Sequence, residues 1–240
     1  MLDRFAVIDK WITRESARLA KPRGDIVFYA GWQIQRYYSF VGIVLDRYLS
    51  EEAGYNTVSN AVQGMLTGIE GKVTMTPELQ GLTHRRIAHQ FAIQLWIESF
   101  YVFAKILLDK VALFIEYYFA DARGLPLKSH DKLTKNFGRF CQDKGLVATP
   151  ALQNQMEYMR SVISDFRDKW IEHEKSPRTL RGITLGSAHT GVTISHVYPT
   201  DRDVTLRTED PVYLASRIDQ YLDLVMEFVS KNGPTKNLAE

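Results

Sequence analysis

Residues 91–120 read FAIQLWIESFYVFAKILLDKVALFIEYYFA. Length and apolarity alone would let this stretch span a bilayer, so the placement of its few polar residues decides what it is. Gln94, Glu98, Lys105, Asp109 and Glu116 are separated by four, seven, four and seven positions. On a helix of 3.6 residues per turn they fall in one narrow stripe along a rod that is otherwise apolar all round. The pattern predicts a helix in the middle of a soluble bundle, with no membrane span.

Helix signals surround this rod. Upstream, Thr76-Pro77-Glu78 supplies a capping hydroxyl, a proline suited to the first helical position and an acid for the first turn, so the rod begins there or near Thr83. Before it, Leu2 to about Ala20 is helical in pattern and is broken by KPRGD (21–25). Ile26 to about Glu51 forms a second helix, whose Phe28, Tyr29, Trp32, Tyr37, Tyr38 and Phe40 read as core packing. Gly54, Gly64, Gly68 and Gly71 interrupt the next segment, leaving a short helix around Val58 to Ile69.

Downstream, Ser129 caps a helix to about Lys144, with Gly145 near its end. Pro150 then opens a helix carrying Leu152, Met156, Met159, Ile163, Phe166 and Trp170 at alternating spacings of four and three, a seam for a partner helix, and Pro177 stops it. From Thr179 to Arg207 the period changes to β-branched, partly alternating runs separated by SAHTG and PTDRD, which predicts an antiparallel hairpin or meander. Asp210-Pro211 opens a last helix through Tyr213, Leu214, Ile218, Tyr221, Leu222, Val225 and Phe228. The fold class is therefore mainly α, a helical bundle with a small β element near the C-terminus.

Composition adds limits. The 240 residues carry 30 Lys plus Arg against 28 Asp plus Glu, so any basic surface must be local. Cys141 is the single cysteine, which excludes an internal disulfide and a cysteine zinc site and suits a reducing compartment. MLDRFAVIDKWITRES lacks the pattern of a secretory signal, so a cytoplasmic location is expected.

The chemistry-bearing stretch is FRDKWIEHEKSP (166–177). Extending the seam three positions beyond Trp170 reaches His173, while Arg167 lies beside the seam. Six positions are about 600°, so the two side chains stand about 120° out of alignment on an ideal helix. They can act together across a bent helix end or across two copies of the chain.

FRDKWIEHEK resembles the Arg-x(4–6)-His signature of the HEPN superfamily, helical domains many of which are endoribonucleases; here five residues separate the pair. The similarity extends to the order of elements: a long apolar helix bearing FAKILLDKVALFIEYYF, the shorter SHDKLTKNFGRF helix, the motif helix, a β insertion and a closing helix. On this basis residues 81–232 form a HEPN-like domain with its β insertion at about 179–207. Residues 1–80 are an N-terminal helical extension, and 233–240 a polar tail. The resemblance implies metal-independent, cofactor-free cleavage of RNA in a composite homodimer cleft. It also implies a defence, toxin–antitoxin or stress setting, with an antitoxin or regulatory protein as a further partner.

The residue types suit that chemistry. Attack of the 2′-hydroxyl on its neighbouring phosphate needs a base, an acid for the leaving oxygen and positive charge on the developing oxyanion. An unperturbed imidazole has a pKa close to neutrality, which suits His173 to proton transfer, and the planar fork of Arg167 matches phosphate. Asp168 departs from the asparagine common after the arginine, and its charge puts activity in doubt more than fold. Lys169, Lys175 and Arg178 after the arginine, and Lys132 and Lys135 with Arg139 on the preceding helix, are candidate RNA contacts. The catalytic residues expected are thus Arg167 and His173.

Two other readings compete. A HEPN-like module that binds RNA or protein without cleaving it is the non-enzymatic alternative, supported by Asp168. Ser129-His130-Asp131 also resembles part of the ligand set of HD-type metal phosphohydrolases, with His84 or His89 and Asp165 or Asp168 completing it. His130 directly follows a cap residue, where exposed polar side chains are common, which favours the bland reading of that motif.

Overall fold

A computed structural model describes residues 2–67, 74–119, 127–164, 179–183, 193–197, 206–207 and 210–234. Among them the chain is mainly helical: α1 (Leu2–Ser16), α2 (Arg23–Leu66), α3 (Pro77–Phe119), α4 (His130–Lys144), α5 (Pro150–Met159) and α6 (Pro211–Asn232). A π-helical turn, Arg160–Ser164, continues α5. The backbone also pairs β1 (Thr179–Ile183) antiparallel with β2 (Thr193–Val197), Thr179 opposite Val197 and Ile183 opposite Thr193. Ser195 and His196 of β2 face Arg207 and Leu206 of β3 (Leu206–Arg207).

The helix ends follow their local chemistry. Thr76 Oγ1 accepts from the Leu79 backbone N–H at 3.2 Å. Ser129 Oγ accepts from the Lys132 N–H at 3.4 Å, and Gly145, at φ 63°, closes α4 in the left-handed conformation that glycine adopts without penalty. Thr149 Oγ1 accepts from the Leu152 N–H at 3.3 Å, and Asp210 Oδ1 from the Val212 N–H at 2.9 Å.

Three sequence expectations change. α1 ends at Ser16, because Arg18 and Leu19 donate to the carbonyls of Glu15 and Ser16 in a tightened turn. α2 runs unbroken through Gly54 and Gly64, replacing the two helices expected. A mid-helix glycine costs only about 1 kcal/mol against alanine, and Gly54 is needed for packing: a Cβ there would stand 2.5 Å from His89 Cε1. Phe28, Tyr29 and Trp32, expected in the core, are exposed, whereas Tyr38 on the same helix is buried.

The chain divides into two compact units. The first comprises Met1–Gly42, Tyr101–Glu174 and Tyr213–Glu240; the second Ile43–Phe100 and Lys175–Val212. Residues 1–42 thus fall in the same unit as α4 and α5.

The first unit holds most of the core. From Ala104 to Tyr118, α3 buries Leu107, Leu108, Val111, Phe114 and Ile115 completely. Around them pack Ile8, Trp11 and Ile12 of α1, Leu133, Phe137 and Phe140 of α4, and Leu214, Ile218 and Val225 of α6. The seam of α5 is buried as its spacing demands: Leu152, Met156 and Met159, then Ile163 in the π-turn. Gly31 permits α1 to approach α2, since a Cβ there would lie 2.5 Å from Ile12 Cγ2.

In the second unit Val62, Leu79 and Leu82, with Val58 and Met65, make a small cluster. His89 Nδ1 lies 2.7 Å from Glu51 Oε2. Here α3 departs from the fully enclosed rod expected: Ile93 and Ile97 are buried, but Phe91 and Leu95 are exposed. Among the described residues α3 is the helix long and apolar enough to cross a membrane by length and composition, and 44% of its most apolar window is buried.

Candidate functional site

The polar stripe of α3 resolves into defined pairings within the first unit. Lys105, only 5% exposed, donates from Nζ to Asp109 Oδ1 at 2.7 Å. The same oxygen accepts from the backbone N–H of His130 at 2.8 Å, so Asp109 joins Ser129 in satisfying the free donors at the start of α4. A negative charge at that end also complements the helix dipole.

The next residue continues the network. Asp131 accepts from Lys135 Nζ at 2.8 Å and from Arg160 Nε at 2.9 Å, while Arg160 Nη1 reaches Glu157 Oε2 at 2.8 Å. Burial pushes the Asp131 carboxyl up, but the hydrogen bonds and charges of Lys135 and Arg160 outweigh it and hold it below the usual range. Arg160 thereby ties the end of α5 to the first turn of α4.

His130 sits within this arrangement with no exposed surface. Its ring meets Tyr221 of α6 edge-on, centroids 5.4 Å apart and planes at 88°. Burial, and then the Lys105 charge, push its pKa down to about 3, Arg160 adding to the shift and Asp131 opposing it. The imidazole is therefore neutral near pH 7. Both ring nitrogens, and the Tyr221 hydroxyl, have no hydrogen-bond partner among the described residues. Burial and the nearby Asp109 charge raise the Tyr221 pKa, so the phenol stays protonated.

Chemically, this cluster is a support. Its ion pairs are engaged with one another, and its neutral imidazole is sealed from solvent. Its consequence is positional: α3, α4 and the π-turn are locked together where the chain leaves Ser164, itself buried, toward the motif. A π-turn takes up one extra residue relative to α-helical geometry.

The sequence-derived residues fall into three groups. Arg167 and His173, together with Asp165, Asp168, Lys169, Lys175 and Arg178, lie outside the described residues. Lys132 and Lys135 are exposed on α4, as an RNA-contacting stripe requires, but Lys135 is engaged by Asp131 and Arg139 Nε lies 3.8 Å from Asp143. His89 belongs to the second unit and His130 to the first, and the Asp131 carboxylate already carries two cations. No group of three or more His, Cys, Asp or Glu side chains able to hold a metal occurs among the described residues.

Sequence reasoning missed Arg160 and Tyr221 as neighbours of this cluster. Arg160 lies 29 positions from Asp131, and Tyr221 looks like one more apolar-face residue of α6. No local spacing announces either. The pairing of Lys105 with Asp109 was readable, because their i, i+4 spacing places them on one face.

No protein-family model, curated protein or solved structure matches this chain.

Proposed function

We propose that the chain is a HEPN-like, metal-independent endoribonuclease that works as a homodimer in the cytoplasm, with Arg167 and His173 as its catalytic pair. The observation that carries this is the order of elements around the motif. The long apolar α3, the shorter capped α4 and the seam helix α5 precede residues 165–178 in sequence, and β1–β3 and α6 follow them. That is the order expected of a helical domain with a β insertion before its closing helix. The buried α5 seam and the Asp131–Arg160 link fix the helix that precedes the motif in sequence.

In the proposed reaction the 2′-hydroxyl attacks its own 3′-phosphate. Its proton passes to a base, the P–O5′ bond breaks, and the departing 5′-oxygen takes a proton. The products are a 2′,3′-cyclic phosphate and a 5′-hydroxyl end, with no net redox change. His173 moves the protons and Arg167 holds the phosphate charge. Two protomers facing each other would supply both groups twice, which removes the about 120° misalignment within one helix.

A second reading, binding of RNA or a regulatory protein such as an antitoxin without cleavage, is favoured by Asp168 beside Arg167. One experiment separates the two. RNA incubated with the purified chain is expected to be cut with or without EDTA, and left intact by Arg167→Ala and His173→Ala. Cleavage abolished by EDTA sinks the metal-free mechanism, and cleavage retained by both variants sinks the assignment of the pair. Intact RNA that is nevertheless bound selects the non-enzymatic module.

A further inference from the structure

The proposed ribonuclease leaves a second surface of the first unit unused. On the N-terminal part of α2, Tyr29 is 64% exposed and Trp32 44% exposed. Their rings stack 6.1 Å apart at 27°. One turn on, the Arg36 guanidinium lies over Trp32, Tyr37 and Phe40 at 5.8, 5.9 and 5.4 Å. From α3, Lys110 Nζ stands 5.8 Å from the same Tyr37 ring. Beside the rings, Phe40 packs on the half-buried Phe103 of α3 at 5.4 Å.

The combination is chemically specific. Two cations converge on one aromatic ring, and neither forms a salt bridge with a described residue. A groove of about 570 Å³ adjoins them, lined by Tyr29, Gln33, Lys110 and Tyr117, with Asp25 as its one acid. Exposed rings offer π-faces, and cations beside them without a salt bridge among the described residues suit an anion. Single-stranded nucleic acid supplies both, unpaired bases to stack and phosphates at regular intervals. An interface between two copies would satisfy the rings but would bring four like-charged groups together with few acids to offset them.

We propose that the α2–α3 face bearing Tyr29, Trp32, Arg36 and Lys110 binds single-stranded nucleic acid, bases stacking on Tyr29 and Trp32 and phosphates pairing with Arg36 and Lys110. The proposed contacts use neither Arg167 nor His173. Its test therefore uses a ligand that 2′-hydroxyl chemistry cannot cleave, so that failure here and failure of the ribonuclease reading remain distinct.

Fluorescence anisotropy of a labelled single-stranded oligodeoxynucleotide with the full chain reads binding directly. Tyr29→Ala and Trp32→Ala are each expected to weaken it about tenfold, while Trp32→Phe retains most of it. Arg36→Gln and Lys110→Gln are each expected to lower the slope of log affinity against log salt by about 0.7. His173→Ala should bind as the wild type does. Circular dichroism checks folding; Tyr29, Trp32 and Arg36 are exposed and Lys110 is half-buried, so the variants are expected to keep it. Absence of binding by the wild-type chain, or equal affinity across the four weakening variants and the wild type, overturns the proposal. So does a change of sedimentation mass in Tyr29→Ala and Trp32→Ala with binding intact, which would make the face a protein contact.

Discussion

His130 carries a measurable signature at the scale of a single residue. Its side chain is sealed in the core and its pKa is pushed down to about 3 from 6.5, so the unfolded chain binds a proton that the folded chain refuses. The contribution is present in full above pH 6.5 and is lost as pH falls from there toward 3. We expect the unfolding free energy to drop by about 1.4 kcal/mol per pH unit between about pH 6 and 5 on this account. Urea titrations across that range measure it, and His130→Phe, which keeps a ring against Tyr221, should flatten the slope. Most carboxylate effects come lower: Glu15 and Asp131, both held below their ordinary values, lose their contributions as pH falls through the carboxylate range. The sequence placed His130 after a cap, where exposure is common; its burial came from α6 packing over it, through Tyr221 some ninety positions away.

At the scale of elements, glycines separate local propensity from packing. Gly64 of α2 has nothing within 4 Å of an added Cβ, whereas one at Gly54 meets the His89 ring that Glu51 holds. Gly64→Ala should raise the unfolding free energy by about 0.5–1 kcal/mol, since alanine loses less backbone entropy in a helix. Gly54→Ala should lower it by about 1 kcal/mol, the helix gain being overridden by displacement of the imidazole. Thermal or denaturant unfolding of the two variants distinguishes them by sign. Gly145→Ala should cost about 1 kcal/mol, because φ 63° suits glycine and strains any side chain. Helix starts at Thr76, Ser129 and Asp210 were legible because a cap acts over three or four residues, and the start at Pro150 because proline suits the first turn. The helix break that Gly54 suggests does not occur, since the reason for a glycine there is a residue on another helix.

At the scale of the whole molecule, Glu15 is fully buried on α1 and gathers donors from distant elements. Arg18 Nη1 donates to it at 2.7 Å, Tyr118 Oη and Ser230 Oγ each at 2.9 Å, and Arg14 forms a further pair at 2.8 Å. Burial alone would raise this carboxyl, and the hydrogen bonds from Tyr118, Arg18, Ser230 and Arg14 bring it net downward. Glu15→Ala leaves those donors without their shared acceptor and should cost about 3–5 kcal/mol in denaturant unfolding. Elsewhere in the first unit Arg4 bridges Asp219 and Asp223 at 3.1 and 2.8 Å, and Tyr38 donates to Asp219 at 2.9 Å. Helix α1 and the first part of α2 are therefore built into this unit.

What the sequence determined by itself was local: helical type, the capped starts, the buried seam of α5 and the i, i+4 pair on α3. These depend on interactions within a turn or two, which residue order specifies directly. Tertiary structure decided which apolar faces were covered, leaving Tyr29 and Trp32 exposed and Tyr38 buried. It also gave Asp131, Glu15 and His130 neighbours tens to hundreds of positions away. Burial and pairing are properties of what lies opposite a side chain, and only the folded chain brings that partner into place.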